Sequence, residues 1–326
     1  MQTTKKFSVY HALVNFKTKD TYKIFLKYIL VPIYDFIWKN ILNIEGRFLY
    51  FLWIINRKEN IKFDFKKKEK VVIYKDKDLL NLVNKINLNI TKDILEKSIN
   101  KILQGDTGSA NKTDSPFRNK EENYSRLILK DLPENIRKEI IKFGCSYKMI
   151  NTASKYLGVF PILSRVNLSL NIPREGKKER TSMLWHKDDF GYKSFDLVTW
   201  VSDVDDDNGP FYTIKKNNSL GPFYKIKNII KNPLKGERGK VILKEFSKLY
   251  NEDEILEFKG EKGTSILIDS FGNYHRGGFC LKNNRIKLRY EYTTIDSLTV
   301  NQKKPAQEFY DFYESCETKN IFTRYL

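Results

Sequence analysis

Val166-Asn167-Leu168-Ser169-Leu170-Asn171-Ile172-Pro173 alternates apolar and polar residues and ends at a proline. A period of two places the four aliphatic side chains on one face of an extended segment, so the stretch reads as a half-buried strand. Further strands are predicted at Thr181 to His186, Phe195 to Val201, Phe211 to Ile214, Ile255 to Phe258, Thr264 to Ile268 and Arg285 to Thr293. Asp207-Asn208-Gly209-Pro210 reads as a tight turn between two of them, because Asn and Gly tolerate positive φ. Asp203, Asp205 and Asp207 have the alternate spacing of a calcium loop. That loop needs Gly sixth and Glu twelfth, where this chain has Asn208 and Ile214.

Upstream the period is helical. Leu79, Leu80, Leu82, Val83 and Ile86, then Ile94, Leu95, Ile99, Ile102 and Leu103, predict two amphipathic helices, and another is predicted at Pro133 to Phe143, closed by Gly144. Residues 105–116 are rich in turn formers and read as a surface loop. Residues 20–56 are the most apolar region, but their longest uncharged run, Phe48 to Asn56, falls far short of the roughly 20 residues a bilayer crossing needs. Pro32 divides this region into two helices, and Lys23, Lys27, Asp35 and Lys39 draw one polar stripe along it. Such a stripe suits either a layer packed on a sheet or peripheral contact with a membrane.

Helices followed by many short strands predict an α+β chain with a mainly β core: a double-stranded β-helix, or jelly roll, with a helical N-terminal region packed on the sheet. The expected division is a mainly helical region at 1–150 and a core at 151–300. Within the core, 221–253 is a lysine-rich, partly helical insertion, and a short C-terminal helix is expected at 301–326.

The 326 residues, 40% hydrophobic and 14% aromatic, suffice for a substantial core and argue against wholesale disorder. A formal charge of +19 points to an acidic partner, such as a phosphorylated or CoA-type substrate, an anionic membrane or nucleic acid. Dispersed, solvated lysines explain the same excess. Cys145, Cys280 and Cys316 are far apart and odd in number, which fits a reducing compartment without a disulfide framework. No secretory signal follows Met1, and a cytoplasmic location is expected, with possible peripheral membrane attachment.

Chemistry concentrates in Trp185-His186-Lys187-Asp188 and at His275. Two residues apart on an extended segment, His186 and Asp188 project to one side, and His275 would add a second imidazole. Two histidines and one carboxylate, with three coordination positions open, are the ligand set of non-haem Fe(II) enzymes that activate oxygen. Buried core histidines remain the alternative at this point.

The order of landmarks resembles the phytanoyl-CoA dioxygenase-like family of Fe(II)- and 2-oxoglutarate-dependent oxygenases. They are His186-Lys187-Asp188, Trp200-Val201-Ser202-Asp203, Asp207-Asn208-Gly209-Pro210, Gly263-Thr264, Asp269-Ser270, His275-Arg276-Gly277-Gly278 and Arg285-Ile286-Lys287-Leu288. The resemblance spans about 160–295 and leaves the first 150 residues unmatched. It implies that His186, Asp188 and His275 bind iron. Arg285, ten residues beyond His275, would grip the remote carboxylate of 2-oxoglutarate, with Arg289 on the same strand face as its competitor. Trp200 would line the cosubstrate pocket or serve as an ordinary core aromatic. Asp189 would face away from the ligands. The implied cofactors are Fe(II), 2-oxoglutarate and O2, and the implied reaction couples oxidation of 2-oxoglutarate to succinate with hydroxylation. Halogenating relatives lack the carboxylate ligand, so Asp188 favours hydroxylation.

The expected substrate is a small or lipid-linked molecule, and the basic charge suits an anionic one. Two alternatives stand beside it: an oxygenase acting on a nucleic-acid base, and a non-catalytic jelly-roll binding protein. No recognised nucleic-acid-binding module favours the first of these.

Overall fold

The computed structural model describes residues 37, 40–41, 43–56, 71–108, 124–173, 181–186, 188, 194–214, 252–270 and 273–294. The polar stripe along 20–39, residues 109–116 of the predicted loop, nearly all of the insertion, Asp189, Cys316 and the C-terminal helix lie outside these residues.

Helices precede the strands for most of the first half. They are α1 (Ile44–Asn56), α2 (Lys77–Asn89), α3 (Lys92–Leu103), α4 (Glu134–Gly144) and α5 (Tyr147–Leu157). In α2, Leu79, Leu82, Val83 and Ile86 make one buried stripe, and Asp76 caps the first turn by accepting from the Leu79 N–H at 2.9 Å. The Tyr74 hydroxyl and Lys148 meet the same carboxylate, so one side chain ties a strand and two helices together. Among the described residues, no helix is long and apolar enough to cross a membrane. On α1, Leu49 is buried while Ile44, Phe48, Phe51 and Ile55 are exposed.

The strands are β1 (Val71–Tyr74), β2 (Ser125–Leu127), β3 (Ile162–Asn171), β4 (Ser194–Trp200), β5 (Phe211–Ile214), β6 (Ile255–Phe258), β7 (Ser265–Ile268), β8 (His275–Gly277) and β9 (Arg285–Thr293). They form two antiparallel sheets, ordered β1-β7-β4-β9-β3-β2 and β6-β5-β8. β1 and β2, short and embedded among helical segments, give no distinct sequence signal, yet they form both edges of the larger sheet.

β9 lies in the middle of the larger sheet, and its alternation separates two environments. Ile286, Leu288, Tyr290 and Tyr292 join Val166, Leu168 and Leu170 of β3, Leu197 of β4 and the buried faces of α2 to α5 in one apolar cluster. The Tyr290 and Tyr292 hydroxyls donate to the carbonyls of Ile140 and Gly144 at 2.8 and 2.6 Å, so their polar tips are satisfied inside the core. On the opposite face, Val198, Trp200, Ile266 and Ile268 pack against Phe211 of β5 and Phe258 of β6 in the smaller sheet. The site lies on this second face.

The predicted strand from Thr181 to His186 is absent. Thr181–Met183 is a short 3-10 turn, and Trp185 and His186 make isolated bridges, that of His186 antiparallel to His275. Alternation there reports burial, with Met183 and Trp185 inside, but a ladder also needs a neighbour. β8 is three residues long and its other edge is already paired with β5. The predicted turn at Asp207 to Pro210 is present, with Gly209 at φ +75. A Cβ there would lie 2.3 Å from the Phe279 carbonyl oxygen. The Asp205 carboxylate accepts from the Asp207 and Asn208 N–H groups, so it serves the turn.

Gly144 ends α4 against the sheet, where an added Cβ would lie 2.7 Å from a ring carbon of Tyr290 and 3.1 Å from Leu163. Gly144→Ala is expected to cost about 1–3 kcal/mol through overpacking, measured as a lower denaturant midpoint. An unchanged midpoint would mean that this contact has slack.

Candidate metal centre

His275 opens β8, and His186 is held beside it by two backbone hydrogen bonds of 3.0 and 2.9 Å, one in each direction. The Asp188 N–H donates to the Ser270 carbonyl at 2.9 Å, which anchors the third residue to the loop after β7. Donor atoms of His186, Asp188 and His275 all lie within 4.8 Å of one another. His186 Nε2 is 3.7 Å from Asp188 Oδ1, and His275 Nε2 is 3.8 Å from Asp188 Oδ2.

The other ring nitrogens fix the tautomers. His186 Nδ1 lies 2.7 Å from the Leu184 carbonyl, and His275 Nδ1 lies 3.2 Å from that of Asn273. A carbonyl only accepts, so each Nδ1 carries the proton and donates, leaving the Nε2 lone pair aimed at the shared point. Asn273 is itself pinned, its amide donating to Thr213 Oγ1 at 2.9 Å and to the Ile214 carbonyl at 2.7 Å. Burial pushes the His275 pKa down to about 4 against the opposing pull of Asp188. The ring is therefore neutral near pH 7, the form that binds metal. Burial would raise the Asp188 carboxyl, but Arg289 and then the two histidines outweigh it and hold it well below the usual carboxylate range.

Arg289, the competitor to Arg285 on the same strand face, is surrounded by carboxylates. Its guanidinium donates to Asp188 Oδ2 at 2.5 Å and to Asp196 Oδ2 at 2.9 Å, and lies 3.4 Å from Glu291 Oε2. A group so engaged orients the Asp188 carboxylate and is poorly placed to capture a further one. Asp196, the one charge in the run Phe195 to Val201, marks a buried carboxylate in the sequence but not which arginine it meets.

Arg285, on the same strand face, has the opposite character. It is buried, its Nη1 reaches the Gly278 carbonyl at only 3.4 Å, and its Nε has no hydrogen-bond partner among the described residues. The guanidinium lies 5.8 Å from the ring centre of Trp200, whose indole stacks on Phe258 at 5.0 Å.

No protein-family model and no curated protein matches the chain. Among solved structures, EctD from S. alaskensis with 2-oxoglutarate and 5-hydroxyectoine is similar at 13% identity and TM-score 0.45, over 71% of this chain and 74% of that one. The epimerase SnoN in complex with Fe3+, alpha ketoglutarate and nogalamycin RO is similar at 10% identity and TM-score 0.44, over 70% and 80%. AviO1 from Streptomyces viridochromogenes Tue57 follows at 12% identity and TM-score 0.40, over 70% and 90%. At TM-scores this low, the likeness decides nothing about this chain.

Arg289→Lys keeps the charge and removes the planar fork. It is expected to weaken divalent-metal binding by about 10- to 100-fold, measured by anaerobic titration alongside the thermal midpoint. Unchanged affinity would sever Arg289 from the metal centre.

Proposed function

We propose that the protein is an Fe(II)- and 2-oxoglutarate-dependent oxygenase that hydroxylates a small or lipid-linked, possibly anionic, molecule. The observation that carries this reading is the convergence of two imidazole nitrogens and one carboxylate within 4.8 Å. Two histidines and a carboxylate suit a divalent first-row metal and leave positions open for other ligands. The two facing antiparallel sheets fit a jelly roll, with the three residues between them.

His186, Asp188 and His275 would hold the iron, which when bound supplies oxygen activation driven by oxidation of 2-oxoglutarate. Arg285 would receive the remote carboxylate of that acid through the fork its unpartnered Nε leaves available. Trp200 would form the wall behind it. The apolar residues Val198, Ile266, Phe211 and Phe258 exclude water from the space between the sheets, which suits chemistry that must be shielded from solvent. Asp188 occupies the carboxylate position, so hydroxylation is favoured over halogenation.

Anaerobically loaded protein is expected to bind one Fe(II) and, on admission of oxygen, to convert 2-oxoglutarate to succinate. His186→Ala or Asp188→Ala should abolish succinate formation while circular dichroism stays unchanged; normal turnover in either variant would overturn the assignment. Arg285→Ala should mainly raise the 2-oxoglutarate concentration required. If Arg289→Ala alone does so, the carboxylate partner has been misplaced by four residues.

A further inference from the structure

β9 presents Arg285, Lys287, Arg289 and Glu291 at successive alternate positions on the face turned away from the helices. The carboxylates on this face are distributed unevenly. Asp188, Asp196 and Glu291 all gather on Arg289. At the other end, Lys287 has no ion pair or hydrogen bond among the described residues, and Arg285 has only the long contact to Gly278.

The neighbouring strands bring neutral polar groups to the same place. In register, β3 sets Asn171 opposite Arg285 and Ser169 opposite Lys287, while β4 sets Trp200 opposite Lys287. Asn171 Oδ1, Ser169 Oγ, Trp200 Nε1 and Arg285 Nε are all buried without a hydrogen-bond partner among the described residues. Buried polar atoms are ordinarily satisfied, so several orphans around two cations mark a place built for something else. Two adjacent cations without a counterion favour an anion, and a carboxylate, with about four lone-pair sites, can accept from both.

We propose that Lys287 is a second carboxylate-binding residue of the cosubstrate pocket, sharing with Arg285 the remote carboxylate of 2-oxoglutarate. This assignment rests on the oxygenase reading above. Arg285 provides the directional fork, and Lys287 adds a point charge on the strand between Arg285 and the metal-binding end. Burial, reinforced by Arg285 and Arg289, pushes the Lys287 ammonium down to about 7. A bound anion would relieve that cost.

The test is anaerobic calorimetric titration of the Fe(II)-loaded protein with 2-oxoglutarate and, separately, with pyruvate, which has the keto-acid end but no remote carboxylate. Lys287→Met should weaken 2-oxoglutarate binding by about tenfold or more, the scale of one charge-assisted hydrogen bond. It should leave pyruvate binding unchanged, and Lys287→Arg should restore most of the 2-oxoglutarate affinity. Lys287→Met should also raise the thermal midpoint of the ligand-free protein, because it removes an uncompensated charge; Lys287→Gln replaces it if the Met variant is insoluble. Undiminished 2-oxoglutarate affinity in the Met or Gln variant would overturn the assignment, as would an equal loss for both acids. Failure of the unaltered protein to bind 2-oxoglutarate would instead overturn the oxygenase reading, and the assignment with it.

Discussion

One guanidinium organises the inner face of the larger sheet. Arg289 collects Asp188, Asp196 and Glu291, carboxylates from a loop and two strands that would otherwise repel one another out of water. Burial pushes the Asp196 carboxyl up to about 7, with Glu291 and Asp188 adding to the effect and Arg289 opposing it. Arg165 also lies 3.9 Å from Glu291 Oε1, yet three carboxylates on two guanidiniums still leave surplus negative charge. A proton on Asp196 offsets part of it, and a divalent ion on Asp188 would offset more. A metal ion held there would thus be the outlet for an imbalance built into the sheet.

The same strand carries the reverse imbalance two residues away. Among the described residues Arg285 and Lys287 have no carboxylate partner, so the inner face is negative at one end and positive at the other, as a seat for a metal ion and the anion bound beside it would be. The outer face is apolar throughout, packed under helices whose carbonyls accept from Tyr290 and Tyr292. This backing lets β9 carry four charged residues on one side without losing its place in the core.

Much of this was legible in the sequence where a local pattern carried the information. Phe211–Ile214, Ile255–Phe258 and Arg285–Thr293 fall where alternation put them, because each alternating segment has a neighbour on at least one edge. Thr181 to His186 alternates equally well but makes only isolated bridges at Trp185 and His186, so periodicity there reported burial without a ladder. β1 and β2 lie among helical segments and give no distinct strand signal there. The convergence of His186, Asp188 and His275 could be guessed from residue type and order. The difference between Arg285 and Arg289 could not, since both share a face; only the positions of Asp188, Asp196 and Glu291 tell them apart, and those depend on register across strands.

His186 and His275 exchange both backbone hydrogen bonds, so the two backbones are clasped at the point where the rings meet. Peeling away the segment that ends at His186 would separate the two rings at once, and an ion gripping both would oppose that separation like a rivet through two plates. Loss of the ion and opening of this seam are then a single event, and the seam's resistance to proteolysis would rise and fall with metal supply.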